Sequence, residues 1–138
     1  TSVLSDGRSL HDVLAPESFD AILLDVPCSA TGVMRRNPDV KVIRRKSDID
    51  QFAALQSELL RSVWTLLKPG GRLLYTTCSI VSQENDAIVG RFLDTEKTAH
   101  SKILPQTVGK TTTHGQQVIP SSLGGDGLYY ALLGKPTL

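Results

Sequence analysis

The feature that most constrains this fold is a strand, helix and strand pattern in the middle of the chain. Residues 19–25 form a short, nearly continuous apolar run, which is typical of a strand buried on both faces in a parallel sheet. Apolar residues then recur at helical spacing from 52 to 66, after a candidate N-cap at Ser47 and before the helix-ending run 68–71. Residues 72–78 read as a second strand. This order predicts a βαβ unit, whose strands are parallel and joined by a right-handed crossover.

The flanking residues predict fewer regular elements. Residues 2–4 have the pattern of a strand, and Ser82 is a candidate N-cap for a second helix. The polar stretch 95–125 is expected to be mostly loop, and a short strand near Ile103 is the one regular element it allows. Residues 127–133 read as a final strand. The predicted fold class is α/β, with parallel central strands and an antiparallel late strand.

Cys28 and Cys78 are the two cysteines, and each follows a central strand and precedes a serine. Adjacent strands lie about 4.8 Å apart, and ligands bind beyond the carboxyl ends of parallel strands. The thiols are therefore expected at one rim, within roughly 5–10 Å of each other. Two cysteines are too few for a disulfide scaffold, and C-x-x-C metal spacing is absent. The alternatives are that each thiol is a small buried hydrophobic group, or that the two form a disulfide.

Charge is concentrated in one segment, although the formal net charge is only +1. Six basic residues there stand against one acid: Arg35, Arg36, Lys41, Arg44, Arg45 and Lys46, with Asp39. This pattern predicts contacts with RNA phosphates, which supply affinity and salt dependence, and a solvated surface is the alternative. No apolar run approaches the roughly 20 residues of a membrane helix, and no signal peptide is visible, so a cytoplasmic protein without a membrane partner is expected.

Both cysteine segments resemble signatures of the RNA cytosine-5 methyltransferases. Residues 25–33, Asp-Val-Pro-Cys-Ser-Ala-Thr-Gly-Val, look like the D-x-P-C-S-x-T-G signature of that family. Residues 75–80, with Glu84-Asn85 downstream, are similar to its T-C-S and E-N signature, and residues 126–131 look like its terminal strand. The resemblance is to the bacterial Sun/Fmu (RsmB) group, which methylates small-subunit (16S) ribosomal RNA.

The resemblance implies a role for the residues at the strand ends. Cys78 would be the nucleophile that adds to carbon 6 of cytosine and so activates carbon 5, and Cys28 would assist product release. Asp25 would help to hold both the base and the cofactor, S-adenosylmethionine. Asp6 and Pro27 would also contact this cofactor, and no metal is expected.

The same resemblance implies a Rossmann-like S-adenosylmethionine methyltransferase sheet, of which this chain would hold the incomplete C-terminal half. Residues 1–138 would be the C-terminal part of a single catalytic domain, since the family's Gly-rich cofactor loop and N-terminal RNA-binding domains do not occur in the sequence. Alone, this fragment is expected to bind S-adenosylmethionine weakly or not at all and to be inactive. Its incomplete sheet would leave an exposed edge, through which copies of the chain could associate.

Three other interpretations stay open at this point. In DNA cytosine-5 methyltransferases the thiol of the Pro-Cys segment is the nucleophile, which would make Cys28 the attacker. A non-catalytic RNA-binding or assembly module could have kept the fold. A redox thiol pair would form a stable disulfide between Cys28 and Cys78.

Overall fold

The computed structural model describes residues 2–105, 108–123 and 125–137. The strands are β1 (Phe19–Asp25), β2 (Leu67–Thr77), β3 (His100–Lys102), β4 (Lys110–Thr111), β5 (Gln116–Val118) and β6 (Leu128–Gly134). The helices are α1 (Val40–Ile43), α2 (Lys46–Trp64) and α3 (Asp86–Thr95). Short 3-10 segments occur at Gly7–Asp12, Thr31–Val33 and Ser82–Glu84. None of the helices in these ranges is long and apolar enough to cross a membrane.

β1 and β2 form the parallel pair that the sequence predicts. Their register places Leu23 opposite Leu74 and Asp25 opposite Thr76, so the two strands end at the same level. The other edge of β2 pairs with β6 in the antiparallel sense. The sheet then continues through β5 to β4, and β3 also pairs with β6. The α/β class, the parallel central strands and the antiparallel late strand are confirmed.

The hydrophobic core lies between α2, α3 and one face of the sheet. Trp64 of α2 contacts Phe92 of α3 edge to face, with ring centroids 5.2 Å apart. Tyr75 of β2 and Tyr129 of β6 make a similar contact at 6.3 Å, and both are fully buried. Burial of a large apolar side chain stabilises a fold by about 1.5–3 kcal/mol. This packing therefore anchors β2, the strand that leads into the second thiol.

The β1 side of the sheet is open. All residues of β1 are exposed except Ile22 and Leu24, which are half-buried, and Leu23 keeps 68% of its accessible surface. Among the described residues, no strand pairs with the outer edge of β1. A cavity of about 410 Å³ lies beside it, between the first 3-10 segment and α2, and its apolar lining includes Leu10, Leu14 and Leu59. The prediction that β1 is buried on both faces is wrong for this chain, because the first 3-10 segment and α2 cover only one face of the strand.

The helix boundaries differ from the predicted ones. Ser47 is not the N-cap of α2, because the N-cap is Arg45, whose backbone N–H donates to Asp48 at 2.9 Å, and the helix begins at Lys46. Ser82 lies in a 3-10 segment, and α3 begins only at Asp86. The exact first and last residues are the least predictable part of a helix, because several neighbouring residues can serve as its cap.

The run 68–71 does not end α2 but opens β2. The helix ends at Trp64, and the backbone N–H of Gly70 donates to the carbonyl of Lys135 at 2.9 Å. The N–H of Lys135 donates back to Gly71 at 3.1 Å. These bonds to the segment after β6 extend the strand, and the positive φ of Gly70 (78°) fits the irregularity.

One flanking prediction needs correction and another is confirmed with additions. Residues 2–4 are not a strand, and Leu4 is fully exposed, since none of the described strands pairs with them. The described residues of the stretch 95–125 lie mostly in loops, as predicted, but they also form the short strands β3, β4 and β5. The predicted short strand near Ile103 corresponds to β3, which ends one residue before it.

Candidate active site

The two thiols meet at the carboxyl ends of β1 and β2. The Sγ atoms of Cys28 and Cys78 lie 3.3 Å apart, and neither cysteine is in a disulfide. This distance is shorter than the expected 5–10 Å, because the loop after β1 turns back over the end of β2. At this separation one thiol donates a hydrogen bond to the other sulfur. The two groups therefore act on the same small volume.

The environments of the two sulfurs differ. Cys28 is 8% exposed, whereas Cys78 is half-buried. Burial, and then the neighbouring Cys78, raises the pKa of the Cys28 thiol to about 12. Cys28 therefore keeps its proton at neutral pH, and Cys78 is the sulfur that an incoming molecule reaches more readily.

A buried carboxylate joins the two cysteine segments. Glu84 has no exposed surface, and its Oε2 accepts hydrogen bonds from the hydroxyls of Ser29 and Ser79, both at 2.6 Å. Its Oε1 accepts from the backbone N–H of Ser29 at 2.8 Å and from the amide of Gln56 at 3.1 Å. Ser29 and Ser79 directly follow the two cysteines. The E-N part of the signature thus contacts both thiol-bearing segments.

The Thr-Gly part of the first signature crosses the second segment. Thr31 Oγ1 accepts from the backbone N–H of Ile80 at 3.1 Å. The N–H of Gly32 donates to the carbonyl of Cys78 at 2.9 Å, and its carbonyl accepts from Gly127 at 2.7 Å. A methyl group on Gly32 would lie 2.0 Å from the carbonyl oxygen of Gly127. Glycine is therefore required where the first cysteine loop passes between β2 and the entry to β6.

A second polar network supports Cys78 from the side of α3 and β5. Asn85 donates to the carbonyl of Ser79 at 2.9 Å and accepts from the hydroxyl of Thr77 at 2.6 Å. Gln117 donates to the same carbonyl at 3.1 Å and accepts from Asn85 at 2.8 Å. These bonds fix the backbone on both sides of Cys78.

Sequence reasoning missed the two glutamines of these networks. Gln56 lies on the apolar face of α2, one turn from Phe52 and one residue outside the periodic set, and it is fully buried. A polar residue on a buried helical face indicates a partner, because an unpaired buried amide is costly. Gln117 carried no such signal, since its stretch was expected to be loop.

Two of the three predicted cofactor residues, Asp25 and Pro27, lie at the rim that carries the thiols. Asp25 is exposed at the end of β1, three residues before Cys28, and its Oδ1 accepts from the hydroxyl of Thr76 at 3.2 Å. Pro27 has an exposed ring, and its carbonyl accepts from Gln56 at 2.9 Å.

Asp6 lies outside this hydrogen-bonded cluster. Hydrogen bonds from the Arg8 side chain, at 2.6–3.2 Å, and from its backbone N–H hold the pKa of Asp6 down at about 2. Asp6 precedes the first 3-10 segment, whose Gly7 packs against Leu59 of α2. Within the described ranges, no group of three or more histidine, cysteine and acidic side chains is arranged to hold a metal ion.

The basic segment follows the first cysteine loop, and all of its six basic side chains are exposed. Two of these side chains are already engaged within the chain. Arg36 forms an ion pair with Asp126. Arg44 donates from Nε to the carbonyl of Ser29 at 2.9 Å and stacks on the ring of Phe52, 5.1 Å from its centroid.

Arg45 is the N-cap residue of α2, and within the described part of the chain it donates only its backbone N–H, to Asp48. Arg35, Lys41, Arg45 and Lys46 make no salt bridge among the described residues. These four cations are the part of the segment most available to a phosphate.

Comparison with known proteins gives a consistent picture. The "Ribosomal RNA small subunit methyltransferase B" of Erwinia tasmaniensis is 49% identical to this chain over 130 residues, which is 94% of this chain and 29% of that protein. The protein of the same name from Pasteurella multocida is 50% identical over 117 residues, 85% of this chain and 26% of its own length. This chain therefore spans less than a third of these relatives.

Solved structures share the fold. NSun6 from Pyrococcus horikoshii, determined with SFG, superposes with a TM-score of 0.83 at 28% identity, over 96% of this chain and 34% of that one. A methyltransferase homologue from the same organism superposes with a TM-score of 0.77 at 26% identity, over 95% and 43%. The family model "16S rRNA methyltransferase RsmB/F" matches residues 1–134. Because that match covers nearly the whole sequence, this chain belongs to the 16S rRNA methyltransferase RsmB/F family.

Proposed function

We propose that this chain is the thiol-bearing, C-terminal part of a catalytic domain that methylates carbon 5 of a cytosine in small-subunit ribosomal RNA. The observation that carries the proposal is the 3.3 Å contact between Cys28 and Cys78 at the carboxyl ends of two parallel strands. The names of the relatives indicate the RNA. Because that substrate belongs to the ribosome, we expect the activity in the cytoplasm.

Cytosine needs a nucleophile before its carbon 5 can react. The thiolate of Cys78 would add to carbon 6, so that an S–C6 bond forms and the ring becomes an enamine-like species that is nucleophilic at carbon 5. S-adenosylmethionine, when bound, would supply the electrophilic methyl group. After methyl transfer, carbon 5 loses its proton to a water molecule, and the C5–H electron pair forms the C5=C6 double bond. The S–C6 bond breaks in this step, and its electron pair returns to Cys78.

Cys28 would act in the last step. Its raised pKa means that it stays protonated, and its Sγ–H is within hydrogen-bond distance of the sulfur that must leave. A hydrogen bond from Cys28 stabilises the departing Cys78 thiolate. The difference in burial thus supports Cys78 as the nucleophile and Cys28 as the residue that assists release, rather than the reverse order of the DNA enzymes.

The residues at the rim fit part of a cofactor site. Asp25 is exposed and uses only one hydrogen bond, so its carboxylate keeps acceptor capacity for the base or the cofactor. Pro27 would contribute an exposed apolar contact. Asp6 would have to share its carboxylate with Arg8. This chain alone therefore offers an incomplete set of contacts, and we expect it to bind S-adenosylmethionine weakly and to be inactive by itself.

The basic segment would hold RNA phosphates next to the thiols. Arg35, Lys41, Arg45 and Lys46 are exposed, and their side chains form no internal ion pair among the described residues. Such contacts position a nucleic acid without reading its sequence. The target cytosine would leave its stack to reach Cys78.

A chimera provides the test. The matching segment of the Erwinia tasmaniensis relative is replaced by residues 1–134 of this chain, and methylation of carbon 5 in 16S RNA is measured. The chimera should be active, Cys78→Ala should abolish methyl transfer, and Cys28→Ala should accumulate a covalent protein–RNA complex. An active Cys78→Ala chimera would refute the assignment. Loss of the complex in Cys28→Ala, with accumulation in Cys78→Ala, would reverse it.

A further inference from the structure

Glu84 is an acidic residue whose side chain has no contact with solvent. It is 0% exposed, and its carboxylate accepts four hydrogen bonds. A buried carboxylate is costly unless its oxygens are paired in this way. The position of Glu84 in the 3-10 segment between β2 and α3 places it behind the thiols rather than beside the open rim.

Three of the four donors come from the residues that directly follow the thiols. Ser29 gives its backbone N–H and its hydroxyl, and Ser79 gives its hydroxyl. The two serine hydroxyls are themselves 3.4 Å apart. One side chain therefore constrains the chain immediately after Cys28 and immediately after Cys78.

We propose that Glu84 is a positioning residue, which holds Cys28 and Cys78 at reacting distance through Ser29 and Ser79. The proposal deepens the proposed function, on which its catalytic meaning rests. Hydrogen bonds to an ionised acceptor are shorter and about twice as strong as neutral ones, so the charge matters as well as the shape. Without it, the two loops would be joined by the Thr31 hydroxyl, which contacts Ile80 and Ser79, and by the backbone bond from Gly32 to Cys78.

The geometry of the thiol pair can be measured without RNA or cofactor. Phenylarsine oxide condenses with two thiols, so that two As–S bonds form and one water molecule is released. Its affinity depends on how well the two sulfurs are held together before binding. A misplacement of about 1 Å can cost about 100-fold in a preorganised site.

The variant is Glu84→Gln, with Glu58→Gln on the exposed side of α2 as the matched control. Glu84→Gln should lower the affinity for phenylarsine oxide at least about tenfold at a temperature well below its melting transition. Glu58→Gln should leave the affinity unchanged. A purely structural role would lower the melting temperature of Glu84→Gln and leave the affinity at the wild-type value, and that result would overturn the proposal.

Ser79→Ala gives a second test that removes a single hydroxyl, in case Glu84→Gln does not fold. By itself it should also weaken arsenical binding. Where Glu84→Gln does fold, adding Ser79→Ala to it should cause little further loss, because the two groups share one interaction. Wild-type affinity in Ser79→Ala, or full additivity of the two losses, would contradict the proposal. Because the assay contains no RNA, a negative result in it would contradict the role of Glu84 but not the proposed methyl transfer. An inactive chimera would contradict the proposed methyl transfer but not the role of Glu84.

Discussion

Substitution of Gly32 by alanine probes the crossing of the two cysteine segments. The added methyl group would lie 2.0 Å from the carbonyl oxygen of Gly127 and 2.8 Å from that of Cys78. Both neighbours are backbone atoms, so neither can turn aside as a side chain would. The same residue makes two backbone hydrogen bonds, to Cys78 at 2.9 Å and from Gly127 at 2.7 Å. Relief of the overlap must move the loop and break or stretch these bonds.

The expected loss follows from these contacts. A net contribution of about 1 kcal/mol for each of the two hydrogen bonds, and about 1–3 kcal/mol for overpacking, gives about 3–5 kcal/mol. Typical domains unfold with only about 5–15 kcal/mol, so the change is large. Urea unfolding can be followed by the fluorescence of Trp64, the single tryptophan, which is buried.

The control is Gly125→Ala, where the nearest atom to an added methyl group is Ser121 Oγ at 3.8 Å. That variant should lie within about 1 kcal/mol of the wild type. A Gly32→Ala variant that also unfolds within about 1 kcal/mol of the wild type would refute the reasoning.

Further outcomes follow from the same structure. Burial would raise the pKa of Asp86, but hydrogen bonds from Thr112, Tyr129 and the His114 backbone leave it below its ordinary value. Its stabilisation should therefore be lost as pH falls through that lowered pKa, and Asp86→Asn should flatten this acid slope of the unfolding free energy, whereas an unchanged slope would refute it. Calorimetry on this chain should show weak or no binding of S-adenosylmethionine, and micromolar binding would contradict us. In the chimera, Lys46→Ala should reduce the slope of log affinity for RNA against log salt by about 0.7–0.9, and an unchanged slope would exclude a phosphate contact. Sedimentation should show concentration-dependent association through the β1 edge, and a monodisperse monomer would remove that idea.

The βαβ unit and the meeting of the thiols could be predicted from the sequence. The apolar run 19–25 and the helical periodicity of α2 each indicate a regular element, and topology alone then places Cys28 near Cys78. The distance was overestimated, because strand spacing does not describe a loop that folds back over its neighbour. That fold-back depends on Gly32, whose role requires knowledge of Gly127 far along the chain.

Other features depended on partners distant in sequence. The run 68–71 has the composition of a helix end, but its bonds to Lys135 make it part of β2. β5 pairs with β6, and its Gln117 bonds to Ser79 and Asn85, and no local pattern reveals these distant partners. The open face of β1 is likewise invisible in a sequence, since an apolar strand reads the same with or without its cover.

The most direct test of the central claim is to identify which sulfur carries the base. RNA containing 5-fluorocytosine, which cannot lose a proton from carbon 5, is incubated with the chimera and S-adenosylmethionine, and the trapped complex is digested with trypsin. Cys78 lies in the peptide 73–91, and Cys28 lies in the peptide 9–35. We predict that mass spectrometry finds the nucleotide on 73–91 alone. A nucleotide on 9–35, or no covalent complex from an active chimera, would contradict the account.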